Sequence, residues 1–450
     1  MANSPLIITI KRNNVEETTG APRDRLITSS LSLLLSNVTG AVLGVVFWTL
    51  AAHRYSPQAV GNGSAEIAAM TLVATSVQFA PMLIFNRFLY RAGTRAPRVV
   101  RAGYLFALSA AGVAATLFLL FSGPHPYILG GVVPKFTFIG AVMLWVVFTI
   151  EDAVLVGLRE MKWIPLENTV FSLLKLGLLV VVANVLPKTG VFDSWITPLL
   201  VVIIPVNWLI FRRLLPRHVA RSNGRSAFPE SRALRRQVLG EYGGSLMLIA
   251  LGSLPSLFVV RELGPKAAAY FQTPWLVGTS LDFLLWTLSS ALVSEVNARP
   301  NAGPDSVRRI VRYATTFGIP FLLIAAVVAP FGLRIMGPAY AGHGTRLLLW
   351  LLASTPFMAL NVLYLTFARL GRRVRRIFLI QFSLALLILS LMISFLHTYG
   401  EQGAGIAFFT GQAVVGLLVI PSLVRQFRRP TMAPGFAPTS ALLVLPENER

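Results

Sequence analysis

Cysteine is absent from the 450 residues, and charged residues are scarce. Without cysteine there is no disulfide framework, no cysteine-ligated metal site and no cysteine nucleophile. Charged residues make up 13% of the chain, against about 25% in a typical soluble protein. Apolar residues make up 55%, and the mean hydropathy is +0.68. This composition predicts an all-α polytopic membrane protein rather than a soluble domain with one anchor.

Signals for catalysis are also lacking. The chain has only 5 histidines and 18 acidic residues, with no HExxH motif, no GxSxG motif and no phosphate-binding Walker loop. We therefore expect no enzymatic activity, no cofactor and no metal. Any energy that the protein uses should come from an ion gradient or from the flux of its substrate.

The 40 lysines and arginines give a net charge of +22, which raises the question of nucleic-acid binding. These residues lie between apolar runs instead of alternating with aromatic residues on a polar face. The pattern favours the orientation of membrane helices, and we expect no nucleic-acid partner. The N-terminal segment lacks an apolar core followed by a small-residue cleavage site, so no cleaved signal peptide is predicted.

Because about 20 apolar residues span a bilayer, the apolar runs predict twelve membrane spans. These are Leu26–Ala51, Gly63–Leu89, Tyr104–Phe121, Phe136–Leu158, Leu166–Leu186, Trp195–Phe211, Gly243–Val260, Ala269–Leu292, Thr315–Met336, Leu347–Phe367, Ile377–Leu396 and Gly403–Val424.

A cytoplasmic N-terminus places most lysines and arginines in cytoplasmic loops, as membrane insertion favours. Both termini are then predicted to be cytoplasmic, and the basic loops should attract anionic lipids at that face. The predicted organisation is a segment 1–25, a six-helix bundle 26–215, a basic linker 216–242, a second six-helix bundle 243–424 and a disordered tail 425–450.

A weak internal match supports two related halves. RYSPQAVG begins at Arg54 and RELGPKAAAY begins at Arg261, and the two align on Pro57 and Pro265. Because each half has an even number of helices, the halves should be related by an axis along the membrane normal.

The stretch Thr149–Leu178 carries charges inside two apolar runs, at Glu151, Asp152 and Lys175. Intramembrane charges mark a functional site or a buried pair. From helix geometry, Asp152 and Lys175 differ in depth by only a few ångströms, so an ion pair between Lys175 and either acid is sterically plausible. Two interpretations stay open: a structural pair that fixes helix register, or a charged surface of a cavity that meets an anionic substrate or a coupling ion.

Asp282 is a deep acid of the second half. It is either a possible ion-coupling site for a proton or sodium ion, or a hydrogen-bonding residue between helices.

The twelve helices in two sixes, the basic central loop and the segments RYSPQAVG, EDAVLVGLRE, LLKLGLL, LGPKAAAYF and SSALVSEV resemble the Wzx-like polysaccharide flippases. These belong to the multidrug/oligosaccharidyl-lipid/polysaccharide (MOP) exporter superfamily. The resemblance covers nearly the whole chain. It implies a MATE-like pair of lobes around a cavity that opens alternately to either side of the inner (plasma) membrane.

The resemblance also implies a substrate, an undecaprenyl-pyrophosphate-linked oligosaccharide, and partners, the glycosyltransferases and polymerase of one surface-glycan pathway. In such a cavity Lys175 would meet the pyrophosphate, while Arg87 and Arg159 would gather it at the cytoplasmic rim.

Two other functions stay open. A cation-coupled multidrug exporter of the same fold would use Asp282, although acids that this branch commonly has in its first helix are missing here. A membrane-embedded glycan polymerase would need a substantial outer loop, and the predicted outer loops are short.

Overall fold

A computed structural model describes residues 39–122, 135–222, 224, 226, 228–229, 231–298, 303–371 and 373–427. The described chain is helical throughout and contains no strand. Both predicted termini, and the first thirteen residues of the first predicted span, lie outside these residues.

Thirteen helices follow one another, twelve of them long. The first, α1, covers 39–54 within the described residues. The others are α2 Pro57–Phe88, α3 Ala96–Phe121, α4 Lys135–Gly157, α5 Trp163–Val181, α6 Gly190–Leu209, the short α7 Leu215–Arg221, α8 Ser231–Leu263, α9 Pro265–Ala298, α10 Gly303–Arg334, α11 Pro338–Leu370, α12 Val374–Tyr399 and α13 Gln402–Phe427.

The long helices correspond one to one with the predicted spans. Within the described part of the chain, nine of them are long and apolar enough to cross a membrane. The protein is therefore a multi-pass membrane protein, whereas the count of twelve spans and the orientation of the termini stay predictions. Helix α8 begins at Ser231, so the second part of the predicted linker 216–242 is helical.

The helices form two lobes, α1–α6 and α8–α13, whose packing repeats. In the first lobe α4 packs on α2, α3 and α6, and α5 packs on α6. In the second lobe α11 packs on α9, α10 and α13, and α12 packs on α13. The same pairs recur with each helix number raised by seven, which is the arrangement expected for a parallel repeat.

The internal sequence match falls at equivalent places in the two lobes. Pro57 and Pro265 each occupy the first position of a helix, α2 and α9 respectively, where proline is favoured because its missing N–H has no intrahelical partner. Ser56 caps α2 by accepting a hydrogen bond from the Ala59 amide at 3.3 Å. Helix α9 follows Gly264, which has a φ of +84° that suits glycine.

The lobes meet through α2, which packs along both α8 and α9. The Tyr242 hydroxyl of α8 donates to the Ser76 carbonyl of α2 at 2.7 Å. On the other side, the position of Gly44 in α1 lies against Leu276 of α9. Helices α1, α2, α8 and α9 therefore form the junction between the lobes.

We call the end of the bundle that carries the arginine-rich connections the basic face. The connections that define it are α2–α3, α6–α7 and α11–α12. The other end, where α2 and α9 begin, is the opposite face. Because successive long helices alternate in direction, each helix begins at one face and ends at the other, and the depth of a residue can be counted from either face.

Near the opposite face the two lobes approach at Gly61. A Cβ atom at this position would overlap the carbonyl oxygen of Pro265. Small residues permit such close contact between membrane helices. Replacing Gly61 by alanine should lower the free energy of unfolding by about 1–3 kcal/mol, because the backbone of α9 has to move.

Unfolding in mixed micelles measures this loss of stability. Gly140→Ala is the matched control, since a Cβ at Gly140 meets no atom within 4 Å. Equal stability of both variants would show that α2 and α9 do not depend on this close contact.

Candidate functional site

Helix α5 carries two buried charges, Glu167 and Lys175, which are both 4% exposed. They are eight residues apart, which is about 12 Å along the helix. Glu167 lies near the end of α5 at the basic face, and Lys175 lies about 18 Å from the first residue of the helix. The two charges therefore occupy different depths of the first lobe.

The Lys175 ammonium lies among aromatic rings, which we call the aromatic cage. Its Nζ is 3.8 Å from the ring centre of Trp195 on α6, and 5.1 Å from the ring centres of Phe47 on α1 and Phe171 on α5. An ammonium within about 6 Å of an aromatic ring is attracted by its quadrupole. The rings thus replace part of the hydration that the buried cation loses.

The cage belongs to a larger aromatic cluster. Trp145 and Phe148 of α4 and Trp48 of α1 join the three cage residues, with neighbouring ring centres 4.9 to 6.4 Å apart. Four helices of the first lobe are held together by these contacts. The Trp195 indole N–H is buried without an acceptor among the described residues.

The acids form a separate group nearer the basic face, the carboxyl cluster of Glu151, Asp152 and Glu167. Glu151 is 0% exposed and accepts a 2.5 Å hydrogen bond from the Asn207 amide of α6. Glu167 of α5 is the third buried carboxyl group of the cluster. Asp152 accepts from Asn168 at 3.5 Å.

Several oxygens of the cluster are buried without a hydrogen-bond donor among the described residues. They include Oε1 of Glu151, both carboxyl oxygens of Glu167 and Oδ1 of Asp152. A buried carboxylate without a donor is costly, and a carboxyl group in such a place can hold a proton. The residues of the cluster and Asn207 belong to α4, α5 and α6. The described residues contain no group of three or more His, Cys, Asp or Glu that could hold a metal ion.

The predicted ion pair between Lys175 and Glu151 or Asp152 is wrong. No described carboxylate lies within salt-bridge distance of Lys175, which contacts aromatic rings instead. The comparison of depths placed the charges within reach of one another. It could not show that Glu151 turns towards Asn207, a residue that the sequence did not single out.

Arg87 and Arg159, the predicted rim residues, are both exposed at the basic face. Arg159 has a φ of +62°, a left-handed conformation that is uncommon outside glycine. Its guanidinium lies 3.6 Å from the ring centre of Tyr90. This stacking fixes the turn between α4 and α5. The structure does not bring either arginine to Lys175.

The side chain of Asp282, the predicted ion-coupling residue, lies outside the described residues, although its backbone belongs to α9. Its role stays a prediction. Glu66 of α2 is only 4% exposed, although its position near the start of the helix suggests access to water.

Comparisons with known proteins show which folds resemble this one. No protein-family model and no curated protein sequence matches the chain. Solved structures do match. An inward-facing multidrug resistance MATE family transporter of the MOP superfamily is 13% identical, with a TM-score of 0.64 over 89% of this chain and 98% of that chain. A second match is an outward-facing multidrug resistance MATE family transporter of the MOP superfamily. It is 13% identical, with a TM-score of 0.56 over 90% of this chain and 96% of that chain.

A third match is a MOP superfamily transporter from Pyrococcus furiosus, described as having a binding pocket of reverse polarity that suggests a different function. It is 12% identical, with a TM-score of 0.56 over 90% of this chain and 96% of that chain. At such identities the likeness shows the fold alone. The fold is similar to that of the solved MATE transporters of the MOP superfamily.

The first prediction from the site concerns the cage. Lys175 and Trp195 should be energetically coupled by about 2 kcal/mol, because their cation–π contact is desolvated. A double-mutant cycle with Lys175→Met and Trp195→Leu, read out as the free energy of unfolding in micelles, measures the coupling. The control cycle uses Arg334 and Phe331, a pair 5.7 Å apart with an exposed ring. Coupling no larger than in that pair would argue against the cage.

A second prediction concerns the proton in the carboxyl cluster. At neutral pH the infrared spectrum should contain a carbonyl band from a protonated carboxyl group, and Glu167→Gln should remove part of it. Glu160→Gln is the control, because Glu160 lies in the turn between α4 and α5 and is paired with Lys162 at 3.2 Å. A band that stays unchanged in Glu151→Gln, Asp152→Asn and Glu167→Gln alike would show that this cluster holds no proton.

Proposed function

We propose that this protein is a flippase, which moves an undecaprenyl-pyrophosphate-linked oligosaccharide from the inner to the outer leaflet for surface polysaccharide biosynthesis. The observation that carries the proposal is the burial of Lys175 without an acidic partner among the described residues. The lysine is a buried cation at membrane depth, without a described carboxylate to neutralise it. A cation kept unpaired in this way favours a ligand that brings negative charge.

The distribution of charge supports an anionic substrate. Of the described acids deep in the first lobe, Glu66, Glu151 and Glu167 are at most 4% exposed, and Asp152, which is partly exposed, accepts a hydrogen bond from Asn168. The basic face, in contrast, exposes arginines such as Arg87 and Arg159. Exposed guanidinium groups suit pyrophosphate oxygens, which they bind in a bidentate manner.

The route to the cage lies through the junction between the lobes. Phe47, one of the cage rings, belongs to α1, and Gly44 of the same helix lies against α9 of the second lobe. Movement of α1 away from α6 would open the Trp195 face and the ammonium to the space between the lobes. The pyrophosphate would then meet Lys175, while the lipid chain stays in the bilayer.

In this proposal the basic face is cytoplasmic and the membrane is the inner (plasma) membrane. The lipid-linked substrate would come from the glycosyltransferases of a surface-glycan pathway and pass to its polymerase. The Pyrococcus furiosus transporter, whose pocket of reverse polarity is described as suggesting a different function, is a precedent within this fold for a pocket of changed charge.

A cation-coupled multidrug exporter is the second candidate. It is favoured by the solved multidrug resistance transporters of the same fold and by the carboxyl cluster, which has the buried carboxyl groups that a proton-coupled exporter needs. The two candidates differ in the charge of the substrate and in the use of an ion gradient.

Translocation in proteoliposomes tests the proposal. Purified protein would be reconstituted with a fluorescent undecaprenyl-pyrophosphate oligosaccharide, and its accessibility on each leaflet followed with time. Lys175→Ala should slow protein-dependent translocation about ten- to hundredfold, the loss expected when a charge-assisted hydrogen bond disappears.

Lys188→Ala is the matched control, since Lys188 is an exposed lysine between α5 and α6. A folded Lys175→Ala protein that translocates at the wild-type rate would remove Lys175 from the site. Absence of translocation for several glycans, together with proton- or sodium-driven efflux of a cationic dye, would favour the exporter.

A further inference from the structure

The aromatic cage brings together two hydrogen-bond donors, the Lys175 ammonium and the Trp195 indole N–H. The ammonium lies over the Trp195 ring, 3.8 Å from its centre, and the indole nitrogen belongs to that ring, so the two donors are neighbours. The indole N–H is buried without an acceptor among the described residues. The lysine side chain is 4% exposed and has no described carboxylate within salt-bridge distance.

The rings of the cage compensate the buried charge only in part. A cation–π contact replaces some of the hydration that the ammonium loses, but a charge buried at membrane depth normally has a partner of opposite sign. Glu167 of the carboxyl cluster is about 12 Å away along α5. Either Lys175 loses its proton, or a negative ion from outside the chain accompanies it.

The position of Trp195 favours the negative ion. An indole N–H points outwards in the plane of its ring, whereas the lysine nitrogen lies over the face of the ring. A deprotonated amine in that position cannot accept from the indole N–H, which would stay unpaired at a cost. An anion at the edge of the ring accepts from the indole and compensates the ammonium as well.

The chemistry of the cage also favours an anion over a water molecule. A water molecule needs acceptors for its two hydrogens, and the rings of Phe47, Phe171 and Trp195 have no lone pairs. A halide ion accepts hydrogen bonds and donates none. One negative charge neutralises one ammonium, whereas a divalent ion would leave an unpaired charge in the interior. The cage therefore suits a monovalent anion.

In this conformation the cage is covered on two sides, which favours a small ion. Phe47 of α1 lies against the ammonium and is 0% exposed. Towards the opposite face, the Tyr55 hydroxyl donates to the Leu179 carbonyl of α5 at 2.8 Å, and Leu179 is 0% exposed. A pyrophosphate that carries an oligosaccharide needs α1 to move first, whereas a halide ion is little larger than a water molecule.

We propose that Lys175 and Trp195 bind one small monovalent anion, such as chloride, while the cage is closed. When α1 moves, the pyrophosphate of the substrate displaces this ion and takes over the same two donors. The binding of the ion stands by itself, whereas its displacement rests on the proposed function. Because substrate and ion use the same donors, occupation of the site depends on the chloride concentration of the compartment to which the cage opens.

The stability of the full-length protein in micelles tests the anion site. Chloride replaces gluconate at constant ionic strength, and the midpoint of thermal unfolding is measured. Gluconate is too large for the closed cage, so the wild-type midpoint should rise with chloride as expected for a ligand that binds only the folded protein. Bromide, a heavier halide, should also quench tryptophan fluorescence with a saturable component.

Two variants separate the two donors. Lys175→Met keeps the length of the side chain and removes its charge, so the chloride dependence should disappear. Trp195→Phe keeps an aromatic ring and removes the N–H, so the apparent affinity for chloride should fall about tenfold. The matched controls are Lys188→Met, at an exposed lysine, and Trp208→Phe, on the same helix as Trp195 and 53% exposed. Both should respond to chloride as the wild type does.

Two results would overturn the anion site. A wild-type stability that does not depend on chloride would indicate that Lys175 is neutral in the closed cage. A chloride dependence that persists in both Lys175→Met and Trp195→Phe would show a general effect of salt.

The translocation assay tests the displacement. At constant ionic strength, chloride should raise the KM for the lipid-linked substrate and leave kcat unchanged, because it competes only for the free site. Trp195→Phe should weaken this competition about tenfold. A KM that does not depend on chloride would overturn the displacement.

The same measurements separate this inference from the proposed function. Translocation by a wild-type protein whose stability does not depend on chloride would refute the anion site and leave the flippase intact. Chloride binding that requires Lys175, without translocation of any glycan, would refute the flippase and leave an anion site.

Discussion

A cation at the depth of a bilayer is stable only when other groups replace its water, and in this protein aromatic rings do so. Lys175 lies against Trp195, Phe47 and Phe171, while Glu151 of α4 accepts a hydrogen bond from Asn207. Opposite charges in one lobe would normally pair. Their separation leaves an uncompensated positive charge in the lobe, on which the choice of an anionic substrate depends.

The lengths of the apolar runs predicted the long helices, because a membrane helix has to satisfy its backbone within its own segment. The starts of α2 and α9 at Pro57 and Pro265 were not predicted, since the predicted spans begin at Gly63 and Ala269, although proline at a first helical position follows a local rule. The side-chain contacts of the site could not be predicted in this way. Glu167 stands eight residues before Lys175 on α5, so the spacing shows that both charges share a region of the helix. Which neighbour each one meets depends on how α5 rotates against α4 and α6.

The aromatic cage could not be predicted from the sequence either. Its rings come from α1, α5 and α6, and no short motif contains all three. A lysine in an apolar run predicts a partner, and electrostatics alone favours a carboxylate. Tryptophan and phenylalanine are common in membrane helices as packing residues, so their presence gave no signal. Only the tertiary contacts distinguish an aromatic cage from ordinary packing.

The two lobes share a packing pattern but differ in what they enclose. The first holds charge and aromatic rings, and the second holds an apolar groove between α9, α10 and α11. Helix α1 contacts both lobes: Phe47 covers Lys175 of the first lobe, and Gly44 of the same helix lies against α9 of the second. Any motion that separates α1 from the first lobe to expose the cation must also change its contact with α9. In a flippase, access to the phosphate site and the relative position of the lobes would therefore change together, without a dedicated gate.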